Sequence, residues 1–254
     1  MAGPDAQIVL IIAGAVAAGF VQGLTGFGFG LVAMSFWAWS IDPRLAAAMA
    51  VFGALVGQII AAVTMRRGFH LKTLAPFVVG GLLGLPLGLL LLPRLDVIVF
   101  KAFLGTLLVI WCPVMLLSAQ LPRITRAGPI ADGLIGAAGG VMGGLGGFTG
   151  VLPTLWCTLR GMDKDAQRAI VQNFNLSMLL VTFGSYLATG IITTATLPYL
   201  AIVAPALLIP SLLGARLYIG ISEATFRKLV LGLLTCTGVA LLASSVPELL
   251  GRMG

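Results

Sequence analysis

Charge is scarce in this sequence: Asp, Glu, Lys and Arg make up 9% of its 254 residues, against about 25% in an ordinary soluble domain. With 59% hydrophobic residues and a mean hydropathy of +1.10, that excludes a soluble domain and predicts an all-α polytopic membrane protein. Carboxylates inside the apolar runs are missing too. Asp5, Asp42, Asp96, Asp132, Asp163, Asp165, Glu223 and Glu248 all fall at segment ends or in loops, which argues against a buried proton relay. His70 is the only histidine and lies in a basic loop, where it reads as solvated. Cys112, Cys157 and Cys236 sit in apolar runs without metal-ligand spacing, so neither a disulfide nor a metal site is expected. No set of nucleophile, base and orienting group can be assembled, so no enzyme activity and no cofactor are expected. The net charge of +7 comes from 15 basic residues spread over short loops. That excess reads as topology information, not as a nucleic-acid surface. No Lys or Arg precedes the apolar stretch from Ile8; without the charged start of a cleaved signal, that segment is expected to stay.

Glycine, in contrast, is concentrated. Gly23-Leu24-Thr25-Gly26-Phe27-Gly28-Phe29-Gly30 and Gly143-Gly144-Leu145-Gly146-Gly147-Phe148-Thr149-Gly150 each interrupt a long apolar run. Displaced by 121 positions, Gly23, Leu24, Gly26 and Phe27 fall on Gly144, Leu145, Gly147 and Phe148, and Asp42 falls on Asp163. This is an internal repeat. Each glycine gives up about 1 kcal/mol of helix stability relative to alanine, so such a cluster breaks a helix. Backbone freed within a membrane is tolerated only where protein buries it or it lines a polar cavity. Half-helix N-termini aimed into that cavity would offer N–H donors and partial positive charge to an anion. Close helix packing through small residues is the competing explanation. A dinucleotide-binding loop is disfavoured, because no strand precedes the glycines and no acid follows.

The segments divide the chain into a first repeat, 1–122, and a second, 123–254. The first holds a broken run over 7–40 and helices over 44–64, 73–92 and 97–118, with Asp42 expected to cap the first of these. The second holds a broken run over 130–159 and helices over 164–189, 195–215 and 224–245. Gly80, Gly84 and Gly88, four apart, predict a flat face for close packing, which within the bilayer is compatible with a homodimer or with contacts inside one protomer. A broken run of some 30 residues is too long for one crossing of about 20 and short for two, which suggests a re-entrant hairpin.

Basic residues test this. If each broken run were a single crossing, one side would hold six of them and the other nine. If each returns to its own side, Arg66, Arg67, Lys72, Arg123, Arg126, Arg160, Lys164, Arg168, Arg216, Arg227 and Lys228 share one side, and Arg44, Arg94, Lys101 and Arg252 the other. Eleven against four is a positive-inside signal. The reading is therefore six crossings and two hairpins with both termini outside the cytoplasm. Three crossings per half is odd, so the halves become inverted repeats.

Neutral polar groups within the apolar runs concentrate on the helix after the second break: Gln172, Asn173, Asn175, Ser177, Thr182, Ser185 and Tyr186. Gln172, Asn175, Thr182 and Tyr186 can share one face. The corresponding first-half helix has only Gln58 and Thr64. The candidate substrate-binding residues are Gln22, Thr25, Gly26, Gly28, Gly30, Gly146, Gly147, Thr149, Gly150, Gln172 and Asn175. Arg216 is read as a snorkelling cation or an anion gate. Arg160 and Arg168 flank the second break and could attract anions.

With its two glycine motifs, the second followed by Val151-Leu152-Pro153, and its half-repeat near 120 residues, the chain resembles the TauE/SafE family of membrane transporters. In the first motif Phe27 and Phe29 interrupt the glycine run, and Met34 stands near where that family has a proline. The resemblance implies movement of a small sulfur-containing anion, such as sulfite, sulfoacetate or a related organosulfonate, across the bacterial inner membrane, and it suggests a homodimer. The expectation is a secondary transporter that binds its anion between the two glycine-rich tips and alternates access. A channel-like anion conductor, a permease for a non-sulfur organic anion and an accessory membrane subunit are the alternatives. Proton coupling stays open between a substrate-borne proton and Asp42 or Asp163. Valine at Gly28 or Gly147 is expected to abolish transport while sparing expression.

Overall fold

The computed structural model describes residues 4–64, 68–124, 127–217 and 223–253. At Pro4, Thr64, Ala119, Lys164, Arg216, Leu217, Glu223, Ala224, Phe226, Arg227 and Met253 it describes only the backbone. The basic residues Arg66, Arg67 and Arg126, and the side chain of Arg216, read as a snorkelling cation or an anion gate, lie outside the described parts. The described chain is helical and contains no strand. Its helices are α1 (Pro4–Thr25), α2 (Phe29–Trp37), α3 (Pro43–Thr64), α4 (Leu71–Leu91), α5 (Val97–Leu117), α6 (Pro129–Gly146), α7 (Val151–Leu159), α8 (Lys164–Ala188), α9 (Leu197–Leu217) and α10 (Glu223–Met253).

Aspartates start the helices that follow loops, because a short carboxylate satisfies N–H groups that have no carbonyl one turn back. Asp42 Oδ1 accepts from the N–H groups of Arg44 and Leu45 at 2.9 and 3.3 Å. Its repeat counterpart Asp163 accepts from Ala166 at 2.9 Å, and Asp96 from Ile98 and Val99 at 2.9 and 2.8 Å. α10 continues past the expected end at 245, through Pro247, to Met253.

Six described helices are long and apolar enough to cross a membrane: α1, α3, α4, α5, α9 and α10. The number agrees with the expectation, but the membership differs. α8 is too polar to qualify, carrying Lys164, Asp165, Arg168, Gln172, Asn173 and Asn175. α1 enters because the first break does not fall midway. Arms of 22 and 9 residues flank it, about 33 and 14 Å at 1.5 Å per residue.

Each short arm folds back along its long one. The Trp37 indole at the end of α2 covers Gly14 and donates to the Ile11 carbonyl at 3.3 Å. In the second half Trp156 donates to Asp132 at 2.7 Å, and Arg160 pairs with both oxygens of that carboxylate at 2.9 and 3.0 Å. Ile11 and Asp132 are themselves 121 residues apart, so the two folded-back units are pinned at matching levels.

Contacts between loops then define two ends of the molecule. At one, Arg44 donates to the Pro93 carbonyl at 2.7 Å, Arg252 pairs with Asp96 at 2.6 Å and Lys101 stands over the Trp39 ring. At the other, the N–H of Ile124 donates to Leu159 at 2.9 Å and the Asn173 amide to Gly68 at 3.1 Å.

Glycine makes the long contacts between halves. α4 lies on α6 with Gly80, Gly84 and Gly88 against the backbones of Gly133, Ala137 and Val141, and Gly136 and Gly140 answer against Phe77 and Gly81. α1 lies on α9 through Gly19, Gly23 and Gly214, and α5 on α10 through Gly105 and Gly238. The glycine face of α4 is thus covered within the chain, and it supplies no surface for a homodimer. Apolar side chains such as Leu83, Leu90, Ile209 and Leu233 point outward. On a membrane protein that is the lipid-facing side.

Candidate functional site

The two glycine breaks are built alike. Gly26 and Gly147, equivalent in the repeat, take left-handed φ values of 76° and 74° and end the long arms. The Gly26 N–H donates to the Gln22 carbonyl at 2.7 Å and the Gly147 N–H to that of Gly143 at 2.8 Å. A residue without a Cβ adopts this conformation at little cost. Gly28, at φ 94°, then turns the chain into α2.

The breaks meet. A Cβ on Gly30 would stand 3.2 Å from the Gly146 carbonyl oxygen and 3.4 Å from that of Gly147, so α2 approaches the second break more closely there than most side chains would allow. Between them lies a small cleft with about 340 Å³ of empty space, open solvent included. Its walls follow the repeat. Phe27 and Phe148, Gly28 and Thr149, Phe29 and Gly150, Gly30 and Val151, Ala54 and Asn175, and Gln58 and Leu179 all line it, and each pair is 121 residues apart. Ala54 and Gln58 sit near the middle of α3, and Asn175 and Leu179 near the middle of α8.

Of the expected site residues, Gln22, Gly28, Gly30, Gly147, Thr149, Gly150 and Asn175 line this cleft. Four do not. The Thr25 hydroxyl is occupied with the Val21 and Phe27 carbonyls at 2.9 and 2.6 Å, bracing the break. Gly26 backs onto the Gln172 amide, Gly146 onto Phe148 and Met34, and Gln172 is buried behind them. Elsewhere on the α8 face, the Tyr186 hydroxyl donates to Gly144 at 2.8 Å and Thr182 to Met178 at 2.7 Å. Asn173 ties the Gly68 loop, so its role is structural. Sequence reasoning missed Ala54 and Gln58 as wall residues; applying the displacement of 121 backwards from Asn175 finds Ala54, and Gln58 lies one turn further along the same face of α3.

The walls offer donors. The N–H groups of the wall residues Phe29, Gly30 and Leu31 in the first turn of α2 and of Gly150 at the start of α7, and that of Leu152 next to the wall, have no acceptor among the described residues; such groups and the helix dipole favour an anion. Trp111 holds α7 in place by donating to the Val151 carbonyl at 2.8 Å. Thr149 donates to Asn175 Oδ1 at 2.9 Å, which orients that amide. Gln22 Nε2 donates to the Ala54 carbonyl at 3.0 Å and Gln58 Nε2 to that of Gly26 at 2.8 Å. No charged or titratable side chain lines the cleft among the described residues. The expected attraction of anions by Arg160 is corrected, since its charge is matched by Asp132.

Fold and site together define a polytopic helical membrane protein in which two broken helices meet at a polar cleft. The sulfite exporter TauE/SafE family matches residues 10–241, and the chain belongs to that family. Membership makes it a multi-pass membrane transporter of the class associated with sulfur anions such as sulfite. Comparison with curated proteins and with solved structures gives no match.

Proposed function

We propose that this chain is a secondary transporter for a small sulfur-containing anion, sulfite or an organosulfonate such as sulfoacetate, held between the two glycine breaks in the bacterial inner membrane. One observation carries the reading. Two repeat-related helix starts with free N–H groups face a single cleft, the arrangement by which transporters bind anions without a fixed cation.

The folded-back arms act as re-entrant hairpins and the two halves as inverted repeats. In support, the Arg252 to Asp96 and Arg44 to Pro93 contacts gather Arg44, Arg94 and Arg252 at one end. Single crossings would put Arg252 on the opposite face from the other two. The more basic end faces the cytoplasm, and the cleft lies near the midplane because mid-helix residues of α3 and α8 wall it. Alternating access comes from one half rocking on the other, with the glycine-faced contacts as sliding surfaces. A homodimer would use an outward apolar face, because the α4 glycine face is covered within the chain.

Counterflow in liposomes tests the proposal. Preloaded sulfite should drive saturable uptake of labelled sulfite or sulfoacetate. Conductive flux without exchange would indicate a channel instead, and no flux from folded protein would remove the substrate assignment.

A further inference from the structure

Gln22 is 4% exposed, and its amide orientation is fixed because Nε2 donates to the Ala54 carbonyl at 3.0 Å. Flipping it would set two carbonyl oxygens against each other. The other end of the amide, Oε1, is buried in the cleft wall with no donor among the described residues. A buried acceptor left unpaired is costly, so a ligand that fits must bring it a proton. Elsewhere the cleft asks for the opposite, since the α2 and α7 N–H groups are donors awaiting acceptors. The complementary ligand is an oxyanion with several acceptor oxygens and one hydroxyl.

Charge gives the same answer independently. No Lys, Arg, His or acid lines the cleft among the described residues. Of the described side chains on the elements around it, α1 carries Asp5, α3 Arg44, α5 Lys101 and Cys112, α6 Asp132, α7 Cys157, α8 Asp165, Arg168 and Tyr186, α9 Tyr199, and α10 Lys228, Cys236, Glu248 and Arg252; none is a wall residue. Asp132 is paired with Arg160, and the Tyr186 hydroxyl is committed to Gly144. Removing an ion from water costs in proportion to the square of its charge, so a dianion costs about four times as much as a monoanion here. With no cation to offset that, the cleft selects a single negative charge, so of the anions proposed above hydrogen sulfite fits and the sulfoacetate dianion does not.

We infer that the transported species is the monoprotonated monoanion of a weak oxyacid, hydrogen sulfite in the case of sulfite, with its hydroxyl donating to Gln22 Oε1. This rests on the anion-carrier reading. The proton then crosses on the substrate: it is taken up where hydrogen sulfite forms, released where it ionises, and held by no side chain between. Coupling to a pH gradient follows without a titrating residue.

The test is counterflow in liposomes at matched internal and external pH, using sulfite, selenite, sulfate and methanesulfonate. Sulfite exchange should fall as pH rises through its own second ionisation, and selenite exchange should fall at the higher pH where selenite ionises. Sulfate, a dianion throughout, should exchange at under a hundredth of the sulfite rate. Methanesulfonate, a monoanion with no hydroxyl, should show a flat profile. In Gln22→Met the ratio of kcat/KM for sulfite to that for methanesulfonate should drop about tenfold, the scale of one lost hydrogen bond. The inference is overturned if sulfite and selenite fall at one common pH, if exchange rises with the dianion, if sulfate exchanges comparably or if the Gln22→Met ratio is unchanged. Exchange of none of the four by folded protein overturns the carrier reading and this inference together.

Discussion

Replacing Gly28 with alanine separates a glycine needed for transport from one needed for folding. A Cβ at Gly28 meets nothing within 4 Å, so the change carries no clash. It does carry the conformational cost of φ 94°, about 1–2 kcal/mol for a residue with a Cβ. A membrane protein with stability of order 5–15 kcal/mol survives that. The break, though, sets the direction of the Phe29, Gly30 and Leu31 N–H groups, and a φ relaxing toward the left-handed minimum near +57° rotates them away from the cleft. Exchange per folded molecule should fall at least tenfold, equivalent to about 1.4 kcal/mol. Gly84→Ala is the packing control. Its Cβ would fall on the Ala137 carbonyl oxygen, so α4 and α6 must separate, at about 1–3 kcal/mol, and folded yield should drop while surviving molecules exchange normally. The assay pairs monodisperse yield and unfolding midpoint in detergent with sulfite counterflow normalised to folded protein. Wild-type exchange in Gly28→Ala would take the break off the transport path; a loss of folded protein equal to that of Gly84→Ala would make it a packing residue. Gly147 is a poorer probe, because its Cβ would meet the Val51 backbone at 3.3 Å and valine there strains the fold as well.

Three further outcomes follow from the contacts. Asp132→Asn leaves Arg160, 23% exposed, without its carboxylate; the midpoint should fall by the equivalent of about 1–3 kcal/mol, below the 3–5 of a fully buried pair, and an unchanged midpoint would refute the pinning role. Thr149→Val removes the hydroxyl that orients Asn175, so KM for sulfite should rise several-fold with folded yield unaffected, and an unchanged KM would take Asn175 out of the site. Val99's N–H, and after it the Arg252 side chain, hold the Asp96 carboxyl below the usual range. Its contribution is present above ordinary carboxylate values and lost as pH falls through the lowered one. The pair is exposed and worth about 0.2–1 kcal/mol, so the midpoint difference between wild type and Asp96→Asn should shrink between pH 5 and acid, and a constant difference would refute it.

The sequence carried the parts of this fold that depend on local chemistry. Asp42 and Asp163 announce helix starts because a carboxylate before an apolar run has few other uses, and the glycine clusters announce breaks because helix propensity fails there. It could not place the breaks along their runs. Gly23 to Gly30 contains four glycines, and only the cap at Gly26, which backs onto the Gln172 amide and accepts from Gln58, decides that the first arm is 22 residues long. Among polar residues, periodicity put Gln172, Asn175, Thr182 and Tyr186 on one face, yet only Asn175 reaches the cleft. Which of the others turn to backbone carbonyls depends on neighbours 42 residues away, as for Tyr186 and Gly144.

Where the walls repeat, the shape of the cleft is fixed by duplication, and its chemistry resides in the positions where the halves differ. Ala54 faces its counterpart Asn175, Gln58 faces Leu179, and Gly28 faces Thr149. Gln22 has as its counterpart Gly143, which carries no polar group at all. The polar groups therefore alternate between halves and do not mirror each other. Under rocking of one half on the other, a ligand between them keeps contacts to both: the Gln22 acceptor and the α2 N–H groups belong to the first half, Asn175 and the α7 N–H groups to the second. Swapping the difference tests this division directly. Ala54→Asn with Asn175→Ala keeps the inventory of groups and moves one amide across the cleft. If the two faces were interchangeable, sulfite exchange would be preserved. Because Asn175 is oriented by Thr149 at 2.9 Å while the residue opposite Thr149 is Gly28, the transplanted amide has no such partner, and exchange should fall about tenfold with folded yield retained.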